Sequence, residues 1–439
     1  MFGPGPLRDN VDFRRYWLGQ AASDLGTQLS LVAFPLLVLA LGGTPAQAGG
    51  IATGSLVART VCRLPAGVLV DRLDRKRLMI GSDLIRATAL GSIPLAVLFG
   101  GPEYPHLLVV AVVEGAAGSV FWPSAAASVR RLVVPHQLTA AMVRSQARVR
   151  AAALLGPALA GWLFTLHRLV PFFVDACSYL VSALLIGRIS ASLRPDPPSP
   201  STDGKAAAPD RRLSAGIRWF LAHRELRTMV AYGGVINLIS VSTVLAVVVS
   251  ANRHGHSATA IGLLVACVGV GALGGALLTS ALLRRLSAPA VFLTLGAAWV
   301  VTFLVFVGTS SPWVVGPLLA TVYVLTAPSA VLIGKQLILG APENLLGRVT
   351  TAADLLMSGL PALGPLLTGI LLSTVGFNAT WLALAALIAG ATVVCLPTFR
   401  TLGPTTEAAP GPAPIPAPTP APSPEPDLED RHDALRHTR

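Results

Sequence analysis

Three charged side chains interrupt long apolar segments of the sequence: Asp24, Arg59 and Glu114. At about 1.5 Å of rise per residue, each would lie near the middle of a helix that crosses a bilayer about 30 Å thick. Charge is costly at that depth and is usually retained for function, so the two carboxyls could carry protons or bind cations. A lone arginine would be expensive there, and Arg59 is therefore expected to pair with Asp24 or with Glu114. The alternative is an ion pair that only supports the structure.

Other kinds of chemistry lack their residues in this sequence. It contains no GxxxxGKS or GxxxxGKT phosphate loop, no GxSxG or HExxH motif, and no Cys and His pair suited to nucleophilic catalysis. Four cysteines stand apart in apolar segments and are expected to be reduced packing residues rather than metal ligands: Cys62, Cys177, Cys267 and Cys395. The sequence therefore predicts no enzyme, no cofactor and no metal site.

The composition is typical of a polytopic membrane protein. Of the 439 residues, 53% are hydrophobic and only 12% are charged, whereas soluble domains are about one quarter charged. The net charge of +12 would suggest nucleic acid in a soluble protein, but here loop charges that meet anionic lipid explain it. Twelve segments are long and apolar enough for transmembrane helices: 16–41, 47–70, 78–99, 106–129, 140–166, 169–189, 228–250, 259–283, 290–308, 312–339, 349–374 and 377–396.

Basic residues accumulate in the gaps on one side of these segments. The other side carries only Arg168 and Arg253. Because positively charged loops remain inside the cell, this asymmetry predicts that both termini are cytoplasmic. The basic side contains Arg8, Arg14, Arg15, Arg72, Arg75, Lys76, Arg77, Arg130, Arg131, Arg284, Arg285 and Arg348.

A polar gap divides the chain into two runs of six helices. The predicted domains are a first bundle over 1–189, a cytoplasmic linker over 190–227, a second bundle over 228–398 and a disordered Pro/Ala-rich tail over 399–439. The end of the linker predicts either a short helix on the membrane surface or plain solvated chain. The apolar residues of that segment are Leu213, Ile217, Phe220 and Leu221.

The two runs repeat. The segment GPALAG over 156–161 matches GPLLTG over 364–369 at an offset of 208 (364 − 156). The same offset pairs Gly67 with Gly275, Lys76 with Arg284, and Arg77 with Arg285. The sequence therefore predicts an all-α membrane protein with twelve transmembrane helices in two six-helix bundles related by a pseudo-two-fold axis, an arrangement found in secondary transporters.

The segment GVLVDRLDRKR over 67–77 resembles the loop signature of the major facilitator superfamily. The phrases FRRYWLGQAASDLG, VDACSYLVSALL and APENLLGRVTTA resemble its drug and siderophore exporters, near the enterobactin exporters and macrolide efflux proteins, and the resemblance covers about 13–396. In that family the loop holds the cytoplasmic side closed, although Asp74 stands here where the family has Gly. The resemblance implies a conformational latch of Gly67, Asp71, Arg72, Arg75, Lys76 and Arg77; for the last three, plain positive-inside charge is the alternative.

The resemblance also implies a central cavity lined by helices one, four, seven and ten. Asp24 and Glu114 then become candidates for proton carriage or cation binding, while Arg59 is their partner and Asn237 is a weaker polar candidate. Helix four departs from the drug antiporter pattern, because Ala111 stands where an arginine would precede the glutamate.

Helix five carries Gly156, Pro157 and Gly161, which resemble the antiporter signature of drug exporters. These residues are expected to bend the helix and to allow close packing. Asp175 predicts a hydrogen bond between helices. Five other charged residues are expected near cytoplasmic helix ends, either in salt bridges to the latch or snorkelling to the interface: Asp83, Arg86, Arg144, Arg148 and Asp354.

Together these features predict a secondary active transporter that exports a small amphipathic compound by proton antiport and alternating access. Its expected partners are the substrate, protons and membrane lipid, without nucleic acid, and it is expected to be a monomer in a bacterial plasma membrane. Two alternatives stay open: an uptake or facilitative carrier of the same fold, and a membrane receptor or assembly factor that transports nothing. A cavity with few polar contacts would suit hydrophobic or cationic compounds.

Overall fold

The computed structural model describes residues 7–195, 218–342 and 345–401, and helices make up most of them. The first half contains α1 (Val11–Ala40), α2 (Pro45–Arg72), α3 (Arg75–Leu95), α4 (Tyr104–Leu132), α5 (Leu138–Leu166) and α6 (Val170–Gly187). The second half contains α7 (Arg224–Arg253), α8 (Ala258–Arg285), α9 (Ala288–Gly308), α10 (Pro312–Gly340), α11 (Leu346–Gly359), α12 (Gly364–Thr374) and α13 (Phe377–Thr401). The predicted all-α fold is confirmed, since these described ranges contain no strand.

Eleven spans in the described ranges are long and apolar enough to cross a membrane. One of them, Leu346–Thr374, consists of α11 and α12, which a 3-10 turn at Pro361–Leu363 separates. The twelfth predicted span is α2, a helix of 28 residues whose charged side chains, including Arg59 and Arg63, make it more polar than the others. The chain is therefore a multi-pass membrane protein with eleven such spans in its described ranges, and α2 is a helix at the place of the remaining predicted span.

Matching helix lengths relate the two halves. The helices α1, α2 and α3 contain 30, 28 and 21 residues, and α7, α8 and α9 contain the same numbers. The turns after α1 and α7 are equivalent as well, because each places a glycine, Gly42 or Gly255, in the left-handed conformation. A repeated chain that folds twice in the same way accounts for this correspondence.

The offset between the repeats changes once along the chain. It is 213 for α1 to α3 (258 − 45 for the first residues of α2 and α8) and 208 for α4 and α5 (312 − 104 for the first residues of α4 and α10). The difference arises in the connection after α3, which spans 96–103, whereas the connection after α9 spans only 309–311.

This shift corrects part of the predicted repeat. The matches of Gly67 with Gly275, Lys76 with Arg284, and Arg77 with Arg285 assumed the offset of 208 in a region where helix ends correspond at 213. Arg285 ends α8 as Arg72 ends α2, while Lys76 and Arg77 lie in the first turn of α3. The match of 156–161 with 364–369 lies where the offset is 208, and it holds.

The bundles meet closely at one end, where α2 and α8 begin; we call this the closed end. A Cβ atom on Gly49 of α2 would overlap the carbonyl oxygen of Pro365 in α12, and one on Gly262 of α8 would overlap that of Pro157 in α5. At the opposite, open end, a Cβ atom on Gly67 would meet nothing within 4 Å. The bundles therefore enclose a space that is sealed at one end only.

The predicted linker and tail lie largely outside the described residues. The segment 196–217, with Leu213 and Ile217, and the tail from 402 onward belong to those ranges. The described end of the linker partly corrects the prediction of a surface helix, because Phe220 is 1% exposed and packs in the hydrophobic core while Leu221 is exposed. The segment after α6 is held by Asp12 of α1, whose carboxylate accepts hydrogen bonds from the backbone N–H groups of Ser190 and Ala191.

Candidate functional site

Three adjoining cavities of about 660, 680 and 280 Å³ lie between the helices, and Trp122 of α4 borders all of them. The first is lined by α1, α4 and α5 and extends to Leu138 and Met142 at the open end. The second lies between the bundles, with α2 and α4 on one side and α7 and α11 on the other. The third reaches Phe34 on the closed side. The expected lining by α10 is not found in these three cavities.

Asp24 lies in the first cavity as the acidic half of an ion pair. Its Oδ2 is 2.8 Å from Nε of Arg148 on α5, and both side chains are about nine-tenths buried. Arg148 Nη2 also donates a 2.7 Å hydrogen bond to Oε1 of Gln20 on α1. The expected position of Arg148 near a helix end is therefore wrong: it is a buried cavity residue that joins two helices.

Glu114 of α4 is the partner of Arg59, which settles the choice that the sequence left open. Arg59 Nη2 lies 3.8 Å from Oε2 of Glu114, and the Ser55 hydroxyl donates a 3.0 Å hydrogen bond to the same oxygen. The guanidinium of Arg59 also lies over the Trp122 ring, 4.2 Å from its centroid. Arginine and glutamate thus connect α2 with α4 beside the cavity shared by the two bundles.

A further ion pair is fully buried inside the first bundle. Arg86 Nη2 lies 2.5 Å from Oδ1 of Asp83 on the same helix, and neither side chain is exposed. The guanidinium is packed against the rings of Phe121 and Tyr179, 4.4 and 4.2 Å from their centroids. The prediction that Asp83 and Arg86 contact the latch or snorkel is therefore wrong; the pair belongs to the packing of α3, α4 and α6.

The hydrogen bond predicted for Asp175 is confirmed. Its carboxylate on α6 accepts a short hydrogen bond from the hydroxyl of Ser30 on α1 and another from Ser178. Asn237, predicted as a weaker cavity candidate, lines the second cavity and donates a 3.2 Å hydrogen bond to the carbonyl of Met357.

The predicted latch residues occupy the open end, where no hydrogen bond or ion pair of the described residues joins them to the second bundle. Asp71 and Arg72 are exposed, as is Arg77, while Arg75 is half-buried in the first turn of α3. Lys76 donates a 2.7 Å hydrogen bond to the carbonyl of Ile189. Within the described ranges no ion pair joins Asp71 to another residue. The departure at Asp74 has a structural role, because its carboxylate caps α3 by accepting from the backbone N–H of Lys76.

One ion pair connects the bundles near this end. Arg63 Nη2 of α2 lies 3.4 Å from Oδ2 of Asp354 in α11, and both side chains are about half exposed. Asp354 therefore pairs across the bundles, but with a residue four positions before the latch segment begins. Arg144 is exposed, and its carbonyl accepts a hydrogen bond from the indole of Trp17.

The predicted helix-five residues lie at close helix contacts. A Cβ atom on Gly156 would overlap the side chain of Gln28 in α1, and one on Gly161 would overlap the carbonyl of Ala258 in α8. Pro157 lies inside α5, which continues as one helix through it. Close packing at these three positions agrees with the expectation, while a role in antiport stays a prediction.

The sequence analysis missed Arg148 and Trp122 as cavity residues. A usable signal existed for the arginine, because Arg148 lies eight positions into the predicted span 140–166, as deep as Asp24 in the span 16–41. A tryptophan in an apolar segment carries no such signal. In the described ranges no group of three or more His, Cys, Asp and Glu side chains could hold a metal ion, and the four cysteines are free thiols.

The family model of the Major Facilitator Superfamily matches residues 16–362 of the sequence. The chain belongs to the major facilitator superfamily. This transporter is 28% identical over 397 residues to the multidrug efflux pump Tap of Mycolicibacterium fortuitum, and the alignment covers 86% of this chain and 93% of the relative. It is 27% identical over 349 residues to the enterobactin exporter EntS of Shigella boydii, and that alignment covers 78% of this chain and 81% of the relative.

Solved structures share the fold of this superfamily member at low identity. A mutant form of the nucleoside transporter NupG superposes with a TM-score of 0.71 at 12% identity, and the alignment covers 89% of this chain and all of that one. A bacterial homologue of the human lysosomal transporter Spinster, in an inward-facing and unoccupied conformation, superposes with a TM-score of 0.67 at 15% identity. The alignment covers 91% of this chain and 98% of that one. These likenesses establish the architecture of two six-helix bundles.

Proposed function

We propose that this transporter exports a small amphipathic compound across a bacterial plasma membrane in exchange for protons, by alternating access. The observation that carries the proposal is a group of three adjoining cavities, one of them between the two repeated bundles, with two carboxylate–arginine pairs in their walls. Ionisable groups at membrane depth are typical of proton pathways, and repeats around a central site are typical of alternating access. Relatives named as an efflux pump and an exporter support outward transport.

The predicted orientation of the termini says which side of the membrane the open end faces. With both termini in the cytoplasm, the open end faces the cytoplasm, and the described conformation is the one that loads an exported compound. In the opposite conformation the last turn of α2 and the first turn of α11 would approach each other and close the space beside Gly67. Asp71 and the basic residues after it would then act as the latch, which is the role that the family resemblance assigns to them.

Asp24 is our first choice for the proton site. It borders the first cavity, which extends to the open end, and its ion partner Arg148 belongs to a different helix. Protonation of Asp24 would remove its charge and leave Arg148 attached only through Gln20, so α1 and α5 would lose one of their links. A proton on this residue would thereby change how two helices of the first bundle are held together. Glu114, paired with Arg59, is the second candidate.

Transport by everted membrane vesicles tests this proposal. Vesicles that contain the full chain are energised by respiration and offered ethidium or fluorescein as probes, with and without an uncoupler. We expect accumulation of at least one probe, its collapse with the uncoupler, and its loss in Asp24→Asn. Lys335→Gln, on α10 and away from the three cavities, is the matched control and should transport normally.

Three other outcomes would contradict parts of the proposal. Accumulation that the uncoupler does not change would indicate a facilitative carrier, and accumulation only in right-side-out vesicles would indicate uptake. Normal proton-driven transport by Asp24→Asn would remove Asp24 as the proton site. If the folded protein transported no compound of a panel, the alternative of a membrane receptor or assembly factor would be favoured.

A further inference from the structure

We propose that Arg59 and Trp122 form the binding site for an organic anion, with a carboxylate or phenolate on the guanidinium and an aromatic group beside the indole. The inference rests on the proposed function and specifies its substrate class. It replaces the sequence-based expectation of a hydrophobic or cationic compound, which considered only how few polar residues the apolar segments contain.

The first argument is the unused hydrogen-bonding capacity of Arg59. Its side chain is 29% exposed, and its Nε is buried without a hydrogen-bond partner. Its nearest charged neighbour, Glu114, lies at 3.8 Å, beyond hydrogen-bond distance, and no described residue accepts a hydrogen bond from the guanidinium. Arginine presents five donors in a planar fork that suits bidentate binding of a carboxylate. A buried donor without an acceptor is costly, so an anion would find this fork already prepared.

The second argument is the position of this pair within the molecule. Arg59 borders the second and third cavities, and Trp122 borders all three. The indole fixes the guanidinium by a cation–π contact at 4.2 Å, which orients it without using any of its donors. A ligand in any of the three cavities is therefore beside this ring, and in two of them it is also beside this arginine.

The third argument is the sign of the accessible charge. Four arginines line the three cavities, against two carboxylates, Asp24 and Glu114. Both carboxylates are covered, with side chains 11% and 7% exposed, and each is already paired with an arginine. Arg63, by contrast, is about half exposed and pairs with Asp354, and Arg130 is exposed near the open end. With Asp354 included, the four arginines exceed the three carboxylates by one (4 − 3), and a cleft with a net positive charge attracts anions.

A cationic ligand fits the same place less well. To reach Glu114 it would have to displace Arg59 from both the carboxylate and the ring, and it would remain among the other arginines. The anion and the exchanged proton would occupy different side chains, Arg59 and Asp24. The mutual exclusion that antiport requires would then come from the change of conformation rather than from competition for one carboxylate.

Binding of three probes that share one scaffold tests the inference. The purified full chain, in nanodiscs of neutral phosphatidylcholine, is titrated by equilibrium dialysis with 2-naphthoate, 2-naphthamide and 2-naphthylmethylammonium. We expect the anion to bind more tightly than the other two probes. Arg59→Gln should weaken naphthoate binding by about tenfold, the loss expected when one charge-assisted hydrogen bond disappears.

Two further variants distinguish an anion site from a cation site. Glu114→Gln should leave naphthoate binding unchanged or tighter, because the competing carboxylate charge is removed, whereas a cation site would be weakened by it. Trp122→Leu should weaken naphthoate without altering the preference for the anion. Arg144→Gln, an exposed arginine of α5 outside the three cavities, controls for nonspecific loss of positive charge, and thermal unfolding confirms that each variant is folded.

The inference and the proposed function can fail separately. Equal binding of the three probes, or tighter binding of the ammonium probe that Glu114→Gln abolishes, would overturn the anion site while leaving proton-driven export intact. Selective naphthoate binding by a protein that shows no proton-driven transport would retain the site and overturn the proposed function. Naphthoate binding that Arg59→Gln does not change would place the anion elsewhere and overturn the assignment of this arginine.

Discussion

The middle of α3 and the equivalent part of α9 are packed by opposite chemistry. In the first bundle, α3 carries the buried ion pair of Asp83 and Arg86, and aromatic rings of α4 and α6 enclose the guanidinium. At the offset of 213 (299 − 86), Arg86 corresponds to Trp299 of α9, which is fully buried and contacts the rings of Phe303 and Tyr323. One fold thus accepts either an ion pair or an aromatic cluster at the same depth.

The same contrast recurs in the cavity walls. Three charged residues of the first bundle have neutral counterparts in the second: Asp24 with Asn237, Arg148 with Leu356, and Glu114 with Val322. The first bundle therefore holds the two carboxylates that line the cavities, while the second presents a mostly apolar wall. Two bundles can therefore keep a common scaffold while only one of them carries paired charges in the cavity walls.

The largest effect is expected from breaking the ion pair on one side of this comparison. Arg86→Met leaves the Asp83 carboxylate buried without a partner, which should lower the free energy of unfolding by about 3–5 kcal/mol. The measurement is thermal or denaturant unfolding of the purified protein in detergent, read from its tertiary signal.

The double variant D83N/R86M is the control for that change. It removes both charges at once and should recover most of the stability, because the second bundle shows that this position tolerates a neutral side chain. Equal destabilisation of the single and double variants would mean that the shape of the arginine, rather than its charge, is what the first bundle needs.

A second prediction concerns contacts in which the two bundles should behave alike. Gly49→Ala and Gly262→Ala each place a methyl group against a facing carbonyl at the closed end, and such overpacking typically costs about 1–3 kcal/mol. Both variants should therefore shift the protein toward the conformation that opens there, by similar amounts. Distances between fluorescent labels across the closed end would report the shift.

Gly334→Ala serves as its control, since a Cβ atom at that position has open space. Its label distances should match those of the parent protein. Clearly unequal shifts for Gly49→Ala and Gly262→Ala would show that the two halves of the seal are not energetically equivalent, despite their matching geometry.

A third prediction transfers ionic chemistry to the second bundle. Asn237→Asp places a carboxylate at the position of α7 that corresponds to Asp24. The position that corresponds to Arg148 is occupied by Leu356, so the new carboxylate would face the Met357 carbonyl with no cation beside it. We expect a loss of about 1–3 kcal/mol in unfolding free energy. Adding Leu356→Arg should restore part of it by recreating the pair. No rescue in the double variant would mean that the equivalence of the repeats does not extend to side-chain geometry.

The smallest effect is expected at the ion pair between the bundles. Arg63→Gln removes the contact with Asp354, but both side chains are about half exposed, and such pairs contribute only about 0–1 kcal/mol. Unfolding measurements should show a change within that range. A loss well above it would indicate that the pair is shielded from water and helps to fix this conformation.

Much of the fold followed from hydropathy and the positions of glycine and proline. The predicted spans and the membrane depth of Asp24, Arg59 and Glu114 depend on segment length, and the two bundles on the polar central gap and the repeat, all of which can be seen in one sequence. The single repeat offset of 208 did not hold throughout, because the connection after α3 is five residues longer than the connection after α9. Sequence matching missed this difference, since glycine and arginine also match by chance at a wrong offset.

The pairing of charges was harder to predict. Asp24 and Glu114 lie at similar depth, and only the rotation of each helix decides which of them faces Arg59. Arg86 and Arg148 were assigned to helix ends because isolated arginines in lipid usually snorkel. Their burial depends on partners from distant segments, Asp83 with its surrounding rings in one case and Asp24 with Gln20 in the other.

The glycines at the closed end have a mechanical consequence. Where Gly49, Gly262 and Gly369 meet the backbone carbonyls of facing helices, backbone lies directly against backbone, and the hydroxyls of Thr53 and Ser373 accept hydrogen bonds from backbone N–H groups across the contact. Parting the surfaces therefore breaks short-range contacts and hydrogen bonds that water can replace, and the same groups fix the register in which the surfaces re-join. A transporter that opens and closes in every cycle would benefit from a contact of this kind.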